Sequence, residues 1–320
     1  MKIMITGAAG FIGAACAAEL RRRGHDISGI DNFNDYYSPA MKEARVKAHG
    51  LTDAVRRADI CDAEALESLA AEFRPDKILH LAAQAGVRYS IENPRAYVRA
   101  NIEGFINVAE VARKCGATHL IYASSSSVYG RNSSIPYTEA DRTDAPASIY
   151  AATKKADELM ASVYSGLYSL PTTGLRFFTV YGPWGRPDMA PMLFIDALMH
   201  ERPIRLFNEG KMERDFTYIA DVVEAVCAIV EGDAPESTAI YNVGRGCPTP
   251  LLEFIGELER QSGRRTHLVM EPMQPGDVVR TWADCSRLEA DFGVKPFTSL
   301  GEGLREFCGW YKKTYTKILL

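Results

Sequence analysis

Residues 6–13 are Thr6-Gly7-Ala8-Ala9-Gly10-Phe11-Ile12-Gly13, and they follow directly on the apolar segment 2–5. Segment 2–5 is typical of a short buried strand, and apolar residues then recur with helical spacing as far as Leu20. Glycines spaced in this way make a tight turn, let a pyrophosphate approach the backbone and let the helix pack on the strand. The stretch therefore predicts a dinucleotide site with its phosphates at a helix N-terminus.

An acidic residue favours this interpretation over an ordinary strand-to-helix turn. The next predicted strand, 26–30, ends at Asp31, where a carboxylate can bind the adenosine ribose hydroxyls and repel a 2′-phosphate. No arginine stands beside it, because Asn32, Phe33 and Asn34 follow. The sequence therefore predicts NAD, and not NADP, as the cofactor.

Composition and charge argue against several other classes of protein. The 320 residues include 37 basic and 41 acidic side chains, and the net charge of −4 indicates neither nucleic acid nor anionic membrane as a partner. No apolar run is long enough to span a bilayer, and the N-terminus is typical of a strand, not of a signal peptide. The seven cysteines form no C-x-x-C pair and the six histidines are scattered, which indicates reduced thiols, a cytoplasmic location and no metal site. We expect His80 to be an ordinary strand residue.

Strands and helices alternate over residues 1–180, which predicts an α/β fold with a doubly wound parallel (Rossmann) sheet. The predicted strands are 2–5, 26–30, 54–58, 77–81, 119–124 and 172–177, and the predicted helices are 11–23, 63–73, 94–115 and 150–168.

The turn-rich stretch 181–187 predicts where the chain leaves this domain. We expect residues 1–180 to form an NAD-binding domain, with return segments at about 216–243 that include a helix near 221–231 and a strand near 239–243. Residues 181–215 and 244–320 would then form a smaller C-terminal α/β lobe for the substrate, with helices near 250–262 and 300–316.

Tyr150 and Lys154 lie four residues apart in a predicted helix, so both side chains project from one face. A free tyrosine, with a pKa of about 10, is a poor base at neutral pH, and a nearby cation favours the phenolate. The spacing alone is a weak signal, because many solvated helices carry it by chance. Its combination with the glycine-rich turn is what favours proton-transfer chemistry.

Polar and aromatic segments follow four successive predicted strands, at 59–60, 82–84, 124–130 and 176–182. Taken singly, a serine run is usually a polar turn and a Phe-Phe pair is usually core. Ligands of open parallel sheets bind beyond the carboxyl ends of the strands, so four such segments together are expected to line one cleft.

These motifs resemble those of the extended short-chain dehydrogenases/reductases that act on nucleotide sugars, and the likeness covers essentially the whole chain. The general motifs are Gly7-x-x-Gly10-x-x-Gly13, Asp31, Leu81-Ala82-Ala83, Val128-Tyr129-Gly130 and Tyr150-x-x-x-Lys154. Within that family, the segments 83–90, 174–189 and 273–278 are similar to those of the UDP-glucuronate 4-epimerases.

The resemblance implies a mechanism. Tyr150 takes the proton of the sugar 4-hydroxyl while the 4-hydrogen leaves as hydride to NAD, Lys154 holds the nicotinamide ribose and favours the phenolate, and Ser125 or Ser127 bridges the substrate oxygen and Tyr150. The 4-keto sugar then turns over and hydride returns to its other face, so UDP-glucuronate becomes UDP-galacturonate and NAD is regenerated. The expected cofactor contacts are Gly7, Gly10, Phe11, Ile12, Gly13, Asp31, Asn32, Asn34, Asp59, Ile60, Leu81, Ala82, Ala83, Gln84, Asn101, Ser124, Tyr150, Lys154 and Phe177.

A uronic acid oxidised at its 4-position is a β-keto acid, which loses carbon dioxide if its carboxylate bond aligns with the carbonyl π-system. We therefore expect a clamp for the carboxylate, formed by the hydroxyls of Ser126, Ser127 and Thr179 with the planar donor fork of Arg186, or less readily of Arg88. Arg186 could equally be a surface charge or a pyrophosphate contact. At the UDP end, the resemblance implies Arg214 and Arg280 for the pyrophosphate, Asp277 for a ribose hydroxyl and Phe207 for uracil.

Three alternatives remain open. A related decarboxylase or dehydratase would carry Glu, or Asp-Glu, just before Val128-Tyr129-Gly130, where this chain has Ser126-Ser127. A UDP-glucose 4-epimerase would differ chiefly in lacking the carboxylate clamp. A non-catalytic NAD-binding regulator would tend to lack Tyr150 or Lys154, and both are present.

The resemblance also implies a homodimer that packs helices 94–115 and 150–168 of each subunit together. Their apolar residues could equally pack on their own sheet; these are Ile102, Phe105, Ile106 and Val108, and Leu159, Met160, Val163 and Leu167.

Overall fold

The computed structural model describes residues 1–132, 134–274 and 277–318, so Pro275 and Gly276 of the segment 273–278 lie outside the described residues. The strands are β1 (Lys2–Thr6), β2 (Asp26–Asp31), β3 (Val55–Arg57), β4 (Lys77–His80), β5 (His119–Ser125), β6 (Thr172–Phe177), β7 (Thr179–Tyr181), β8 (Ile204–Phe207), β9 (Glu213–Arg214), β10 (Phe216–Tyr218), β11 (Thr238–Val243), β12 (Thr249–Pro250) and β13 (Leu268–Glu271). The helices are α1 (Phe11–Arg22), α2 (Pro39–Ala48), α3 (Ala63–Phe73), α4 (Tyr89–Glu92), α5 (Pro94–Tyr97), α6 (Gly104–Cys115), α7 (Ile149–Tyr168), α8 (Ala190–Met199), α9 (Ile219–Glu231), α10 (Leu251–Ser262), α11 (Ser286–Phe292), α12 (Leu300–Trp310) and α13 (Thr316–Ile318).

Seven strands form one parallel sheet in the order β11-β6-β5-β4-β1-β2-β3. The order of the chain reverses between β1 and β4, and such a switch point opens a crevice at the carboxyl ends of the strands. The predicted α/β Rossmann class is therefore confirmed. After α9 the chain returns to this sheet, because β11 pairs in parallel with β6.

Both faces of the sheet are covered by helices, as the alternation of side chains along a strand requires. Ile5 packs on one face in a cluster with Leu20 of α1 and Val226 of α9. Its neighbour Met4 packs on the other face with Leu66 of α3 and Phe105 of α6. The sheet is thus doubly wound.

A separate apolar cluster joins α8, α10 and α12 to the short β8–β13 pair. Ile195, Leu206, Phe254 and Phe307 form its buried centre. This cluster lies in the part of the chain predicted to hold the substrate, and the proposed division into two domains stays a prediction.

The predicted helix 94–115 forms, but a π-helical turn lies within it. Helix α5 ends at Tyr97, the residues Val98–Glu103 form a π-helical turn, and α6 begins at Gly104. The π-helical turn places the buried side chain of Asn101 where it bonds both backbone groups of Gln84. The predicted helix 300–316 also forms, and it contains a π-helical turn at Tyr311–Tyr315.

Elements that the sequence did not predict include α2, α8, α11, β8 and β13. None of the helices within the described ranges is both long and apolar enough to cross a membrane.

Candidate active site

A single cleft of about 1170 Å³ lies at the carboxyl ends of the central strands. Its walls include residues that follow β1, β2, β4, β5 and β6, and its far side includes residues of β8 and α10. The four segments predicted to share one cleft all contribute to it, through residues such as Asp59, Ala83, Ser125 and Phe177.

The glycine-rich turn forms one wall, and its glycines are required by close contacts. Gly7 adopts a φ of +72°, and a Cβ atom there would lie 2.7 Å from the backbone nitrogen of Ala82. A Cβ atom at Gly13 would lie 2.1 Å from the carbonyl oxygen of Gly7. Helix α1 begins at Phe11, so Gly13 lies in its first turn, and its N-cap residue Gly10 supplies no side-chain cap. Its first N–H groups therefore remain available to an anion.

Two side chains hold this turn in place. The Asp31 carboxylate accepts hydrogen bonds from the backbone nitrogens of Ala9 (3.1 Å) and Phe33 (2.8 Å). The fully buried Arg45 guanidinium of α2 donates to the carbonyl oxygen of Ala9 at 2.5 Å and to that of Trp184 at 2.8 Å. The turn is thus preorganised from both sides before any ligand binds.

Lys42 of α2 orders the next segment of the wall. Its ammonium donates to both the backbone and the side-chain carbonyl oxygens of Asn34, each at 2.7 Å. Burial lowers the pKa of Lys42. Because these bonds fix the direction of the Asn34 amide, Lys42 supports a residue that is predicted to contact the cofactor.

Tyr150 and Lys154 lie on the first turns of α7, opposite the glycine-rich turn. The Ser148 side chain caps this helix by accepting from the backbone nitrogen of Ala151 at 3.1 Å. The Tyr150 ring packs edge-on against Tyr97, with 6.0 Å between centroids. Lys154 is 2 % exposed, and its ammonium donates to the carbonyl oxygen of Ala123 and to a carboxylate oxygen of Asp157, both at 2.9 Å.

The serine run forms the floor of the cleft, and its hydroxyls differ in what they contact. Ser124 donates to the buried Glu158 carboxylate at 2.7 Å. Ser125 accepts from the backbone nitrogen of Ser127 at 3.2 Å, which turns the chain into a 3₁₀ helix at Ser126–Tyr129. The Ser125 hydroxyl proton is therefore free to bond another group, whereas that of Ser124 is engaged.

Arg186 lies in the cleft, but one edge of its guanidinium is already engaged. The Nε and Nη2 atoms donate to the two carboxylate oxygens of Asp188 at 3.1 and 2.5 Å, and Nη2 also reaches the carbonyl oxygen of Ala85 at 3.3 Å. The Tyr36 hydroxyl donates to the same carboxylate at 3.0 Å. The Arg186 donor that remains available to a ligand is therefore chiefly Nη1. The sequence had predicted that Arg186 would bind a carboxylate through two donors.

The far side of the cleft carries cations and one aromatic ring. Arg88 lies over the ring of Phe207, 4.7 Å from its centroid, and 3.5 Å from the Asp277 carboxylate. Arg214 is directed to backbone carbonyl oxygens, of Glu213 at 2.9 Å and of Val279 at 3.2 Å, and burial lowers its pKa. A partly buried guanidinium that contacts carbonyl groups is a favourable site for a phosphate.

The cleft brings together every predicted site residue except two. Asn101 lies behind the wall, where it joins Gln84 to Thr153 of α7 (2.9 Å). Arg280 lies outside the lining and pairs with Glu213. Their predicted ligand contacts, like the roles of the residues that do line the cleft, stay predictions.

Polar residues to which the sequence assigned no role also lie at or near this cleft. Tyr36, Lys42 and Asp188 line it, and Asp157 is buried against Lys154. Asp188 stands two residues after Arg186, and that short spacing is the signal from which the pair could have been predicted.

Residues 3–244 match the sequence model of the NAD dependent epimerase/dehydratase family. A probable UDP-glucuronate 4-epimerase of Rhizobium meliloti is 45% identical over 99% of this chain and 98% of its own length. Protein CapI of Staphylococcus aureus is also 45% identical, over 99% of this chain and its whole length.

Solved structures agree with this assignment. The UDP-glucuronic acid 4-epimerase of Bacillus cereus, crystallised with UDP-glucuronic acid and NAD, is 33% identical and superposes with a TM-score of 0.92, over 98% of this chain and 100% of its own. The UDP-glucose 4-epimerase of Thermus thermophilus, crystallised with NAD, is 29% identical with a TM-score of 0.89 over the same shares. The resemblance found in the sequence is confirmed. The chain belongs to the NAD dependent epimerase/dehydratase family.

Proposed function

We propose that the protein inverts the 4-hydroxyl group of UDP-glucuronate to give UDP-galacturonate through a transient 4-keto sugar, with NAD as a tightly held cofactor. The observation that carries the proposal is the composition of one cleft, which contains a glycine cradle, the Tyr150–Lys154 pair and the Arg186 guanidinium. The similar enzymes of Rhizobium meliloti and Bacillus cereus support this choice of substrate.

The residues of the first wall fit a dinucleotide. Any side chain at Gly7 or Gly13 would collide with backbone, so this tight turn into α1 requires glycine at both positions. Free N–H groups of α1 suit a pyrophosphate, and the Asp31 oxygens keep lone pairs for ribose hydroxyls. When bound, NAD supplies a hydride acceptor that is restored within each turnover.

Tyr150 acts on the sugar hydroxyl as general base and, in the return step, as general acid. The Lys154 ammonium is held rigidly by two hydrogen bonds, so its charge is available to favour the phenolate. Ser125 or Ser127 completes the path between the sugar oxygen and Tyr150. Each proton that Tyr150 removes is returned to the same oxygen, so the reaction is an isomerisation with no net redox change.

Arg186 and the serine loop hold the uronate carboxylate away from the alignment that releases carbon dioxide. The Arg186 guanidinium and the Tyr97 hydroxyl both lie beside Gly86, at 3.8 and 3.5 Å from the position that a Cβ atom there would take. Tyr97 in turn packs on Tyr150, which places Arg186 in the neighbourhood of the reacting hydroxyl. Hydroxyls of Ser126, Ser127 and Thr179 supply the remaining donors.

The main alternatives differ at two positions. A decarboxylase or dehydratase needs a further acid or base, and Ser126 and Ser127 stand where such a carboxylate would be. A UDP-glucose 4-epimerase is favoured by the likeness to the Thermus thermophilus enzyme, but it has no need of a cationic side chain at Arg186.

The purified protein should be mixed with UDP-glucuronate without added NAD, and the sugar followed by NMR. We expect inversion at the 4-position without release of carbon dioxide. Carbon dioxide as the main product would favour the decarboxylase, and turnover of UDP-glucose alone would favour the other epimerase.

We propose a homodimer built on α7 together with α6. Leu159, Val163 and Leu167 form an exposed apolar stripe on α7, and Ile106 of α6 is also exposed. Phe105 and Val108, by contrast, are buried in the core of their own subunit, so only part of the predicted faces is free to pair. Val163→Glu should convert the dimer to monomer in analytical ultracentrifugation, and an unchanged dimer would contradict this interface.

We also propose a cytoplasmic location, which the free state of all seven cysteines supports.

A further inference from the structure

Asp157 is a buried carboxylate directly behind Lys154. Its side chain is fully buried, and its Oδ2 atom accepts from the Lys154 ammonium at 2.9 Å. Its Oδ1 atom has no hydrogen-bond partner among the described residues. A buried carboxylate with one unsatisfied oxygen costs stability, so its presence calls for a role beyond packing.

The neighbouring carboxylate cannot take over this role. Glu158 accepts two hydrogen bonds from the Arg176 guanidinium, at 2.8 and 3.0 Å, so its charge is already compensated. Burial raises the pKa of Asp157 to about 6. Above that pH, Asp157 is the anion that compensates the Lys154 ammonium.

Several other ionisable groups face the Tyr150–Lys154–Asp157 cluster. Burial lowers the pKa of His80 to about 3 and raises that of Tyr122, so both are neutral near pH 7. Among the described residues these groups include His80 from β4, Tyr97 from α5, Tyr122 from β5, Lys155 and Glu158 from α7, Arg176 from β6, and Arg186 with Asp188, Tyr36 and Tyr37 across the cleft. Asp157 is the group in this set that pairs directly with Lys154.

We propose that Asp157 is a positioning residue that sets the working pH of the Tyr150–Lys154 pair. This inference rests on the roles proposed above for those two residues. The carboxylate holds the ammonium in place and partly offsets its charge. A negative charge stabilises a protonated lysine and disfavours a phenolate, so both groups release their protons at higher pH than they would beside a neutral residue.

Asp157→Asn keeps the shape of the side chain and removes the charge. Both limbs of the pH–activity profile with UDP-glucuronate should then move to lower pH, each by about one unit. The proton concentration at which the rate is half-maximal would thus change about tenfold on each limb. Asp157→Glu retains the charge and should keep the profile near that of the parent. Asp157→Ser is a second neutral variant that should reproduce the shift if the Asn variant folds poorly.

A second readout does not depend on turnover. The ultraviolet absorbance of phenolate can be titrated in the protein with its NAD bound, and the difference between the titrations of Asp157→Asn and Asp157→Asn/Tyr150→Phe isolates Tyr150. The midpoint of the Tyr150 titration in Asp157→Asn should lie at lower pH than the midpoint in the parent protein, which is isolated in the same way by subtracting the titration of Tyr150→Phe. Lys155→Gln is the matched control, because it changes one charge on the same helix at a partly exposed site, where solvent screens the effect.

Midpoints that stay in place, or that move to higher pH, would overturn the proposal, even if the rate at every pH were reduced. The two proposals can also fail separately. Tyr150→Phe with full activity would end the proposed catalytic role, whereas the phenolate titration would still report whether Asp157 controls Tyr150.

Discussion

The Arg186 guanidinium is held by the Asp188 carboxylate two residues later, through hydrogen bonds of 3.1 and 2.5 Å on its Nε–Nη2 edge. Under the proposed function, a substrate carboxylate would meet an arginine that is fixed in orientation and partly neutralised. Such an arginine would bind a carboxylate less tightly than an unpaired arginine would, but it would fix the orientation of the carboxylate more closely. The two residues can be tested separately.

Arg186→Met should raise the KM for UDP-glucuronate by about 10- to 100-fold, because a charge-assisted hydrogen bond of about 1.5–3 kcal/mol is lost. The KM for UDP-glucose should hardly change, since that sugar has no carboxylate to bind. Initial rates with both substrates, together with the carbon dioxide released from UDP-glucuronate, measure the effect. An equal loss with the two sugars would place Arg186 at the pyrophosphate.

Asp188→Asn should have the opposite effect on binding. Removing the competing charge leaves Arg186 more positive, and we expect the KM for UDP-glucuronate to fall by about threefold to tenfold. Tyr36→Phe is the matched control, because it removes one hydrogen bond to Asp188 and leaves the charge. If Asp188→Asn instead weakens binding as much as Arg186→Met, the carboxylate serves only to position the arginine.

Tyr150→Phe should lower kcat by about 10³-fold, which is within the range expected for a lost general acid–base group. Binding of UDP, measured by calorimetry, should be unchanged because the fold and the far side of the cleft are untouched. Tyr97→Phe is the control, since its hydroxyl bonds the carbonyl oxygens of Ala85 and Gly86 and not a reacting group. Comparable losses in the two variants would count against Tyr150 as the base.

Gly13→Ala should destabilise the protein by about 1–3 kcal/mol and reduce the NAD retained on purification, because the new methyl group would meet the Gly7 carbonyl oxygen at 2.1 Å. Gly256→Ala on α10 is the control, as nothing lies within 4 Å of its Cβ position. That control should be neutral or gain about 0.5–1 kcal/mol. Thermal unfolding and the dinucleotide released on denaturation report the two effects. Retention of normal NAD by Gly13→Ala would show that the turn is not the cofactor cradle.

The parts of the fold that were predicted correctly have clear ends or a clear apolar period. The ends of strand β6 and helix α3 were predicted to the residue, because the sequence marks where each begins. Pro171 stands directly before β6, and Asp62 is the N-cap residue of α3. Helix α2 was missed because its buried face contains the cations Lys42 and Arg45. A helix that buries cations against backbone carbonyl groups shows no apolar period.

The candidate site was predicted well where backbone geometry demands glycine, and less well where charges pair. The glycine-rich turn follows from steric need, which the sequence displays directly, and Asp31 follows from its place at the end of the next strand. Lys154 and Asp157 stand three residues apart on α7, a spacing that the sequence shows, but the burial of the pair depends on how α7 packs on the sheet. The π-helical turn before Gly104 coincides with the bonds of Asn101 to the Gln84 backbone, and these long-range bonds could not be predicted from the sequence.

The most direct test of the central claim is the fate of the sugar's 4-hydrogen when the protein converts UDP-glucuronate in deuterium oxide. The account predicts that NMR will show an inverted 4-position that still carries protium, because the hydrogen taken from that carbon is returned to it without contact with solvent. Deuterium at the 4-position, or a product with unchanged configuration there, would contradict it.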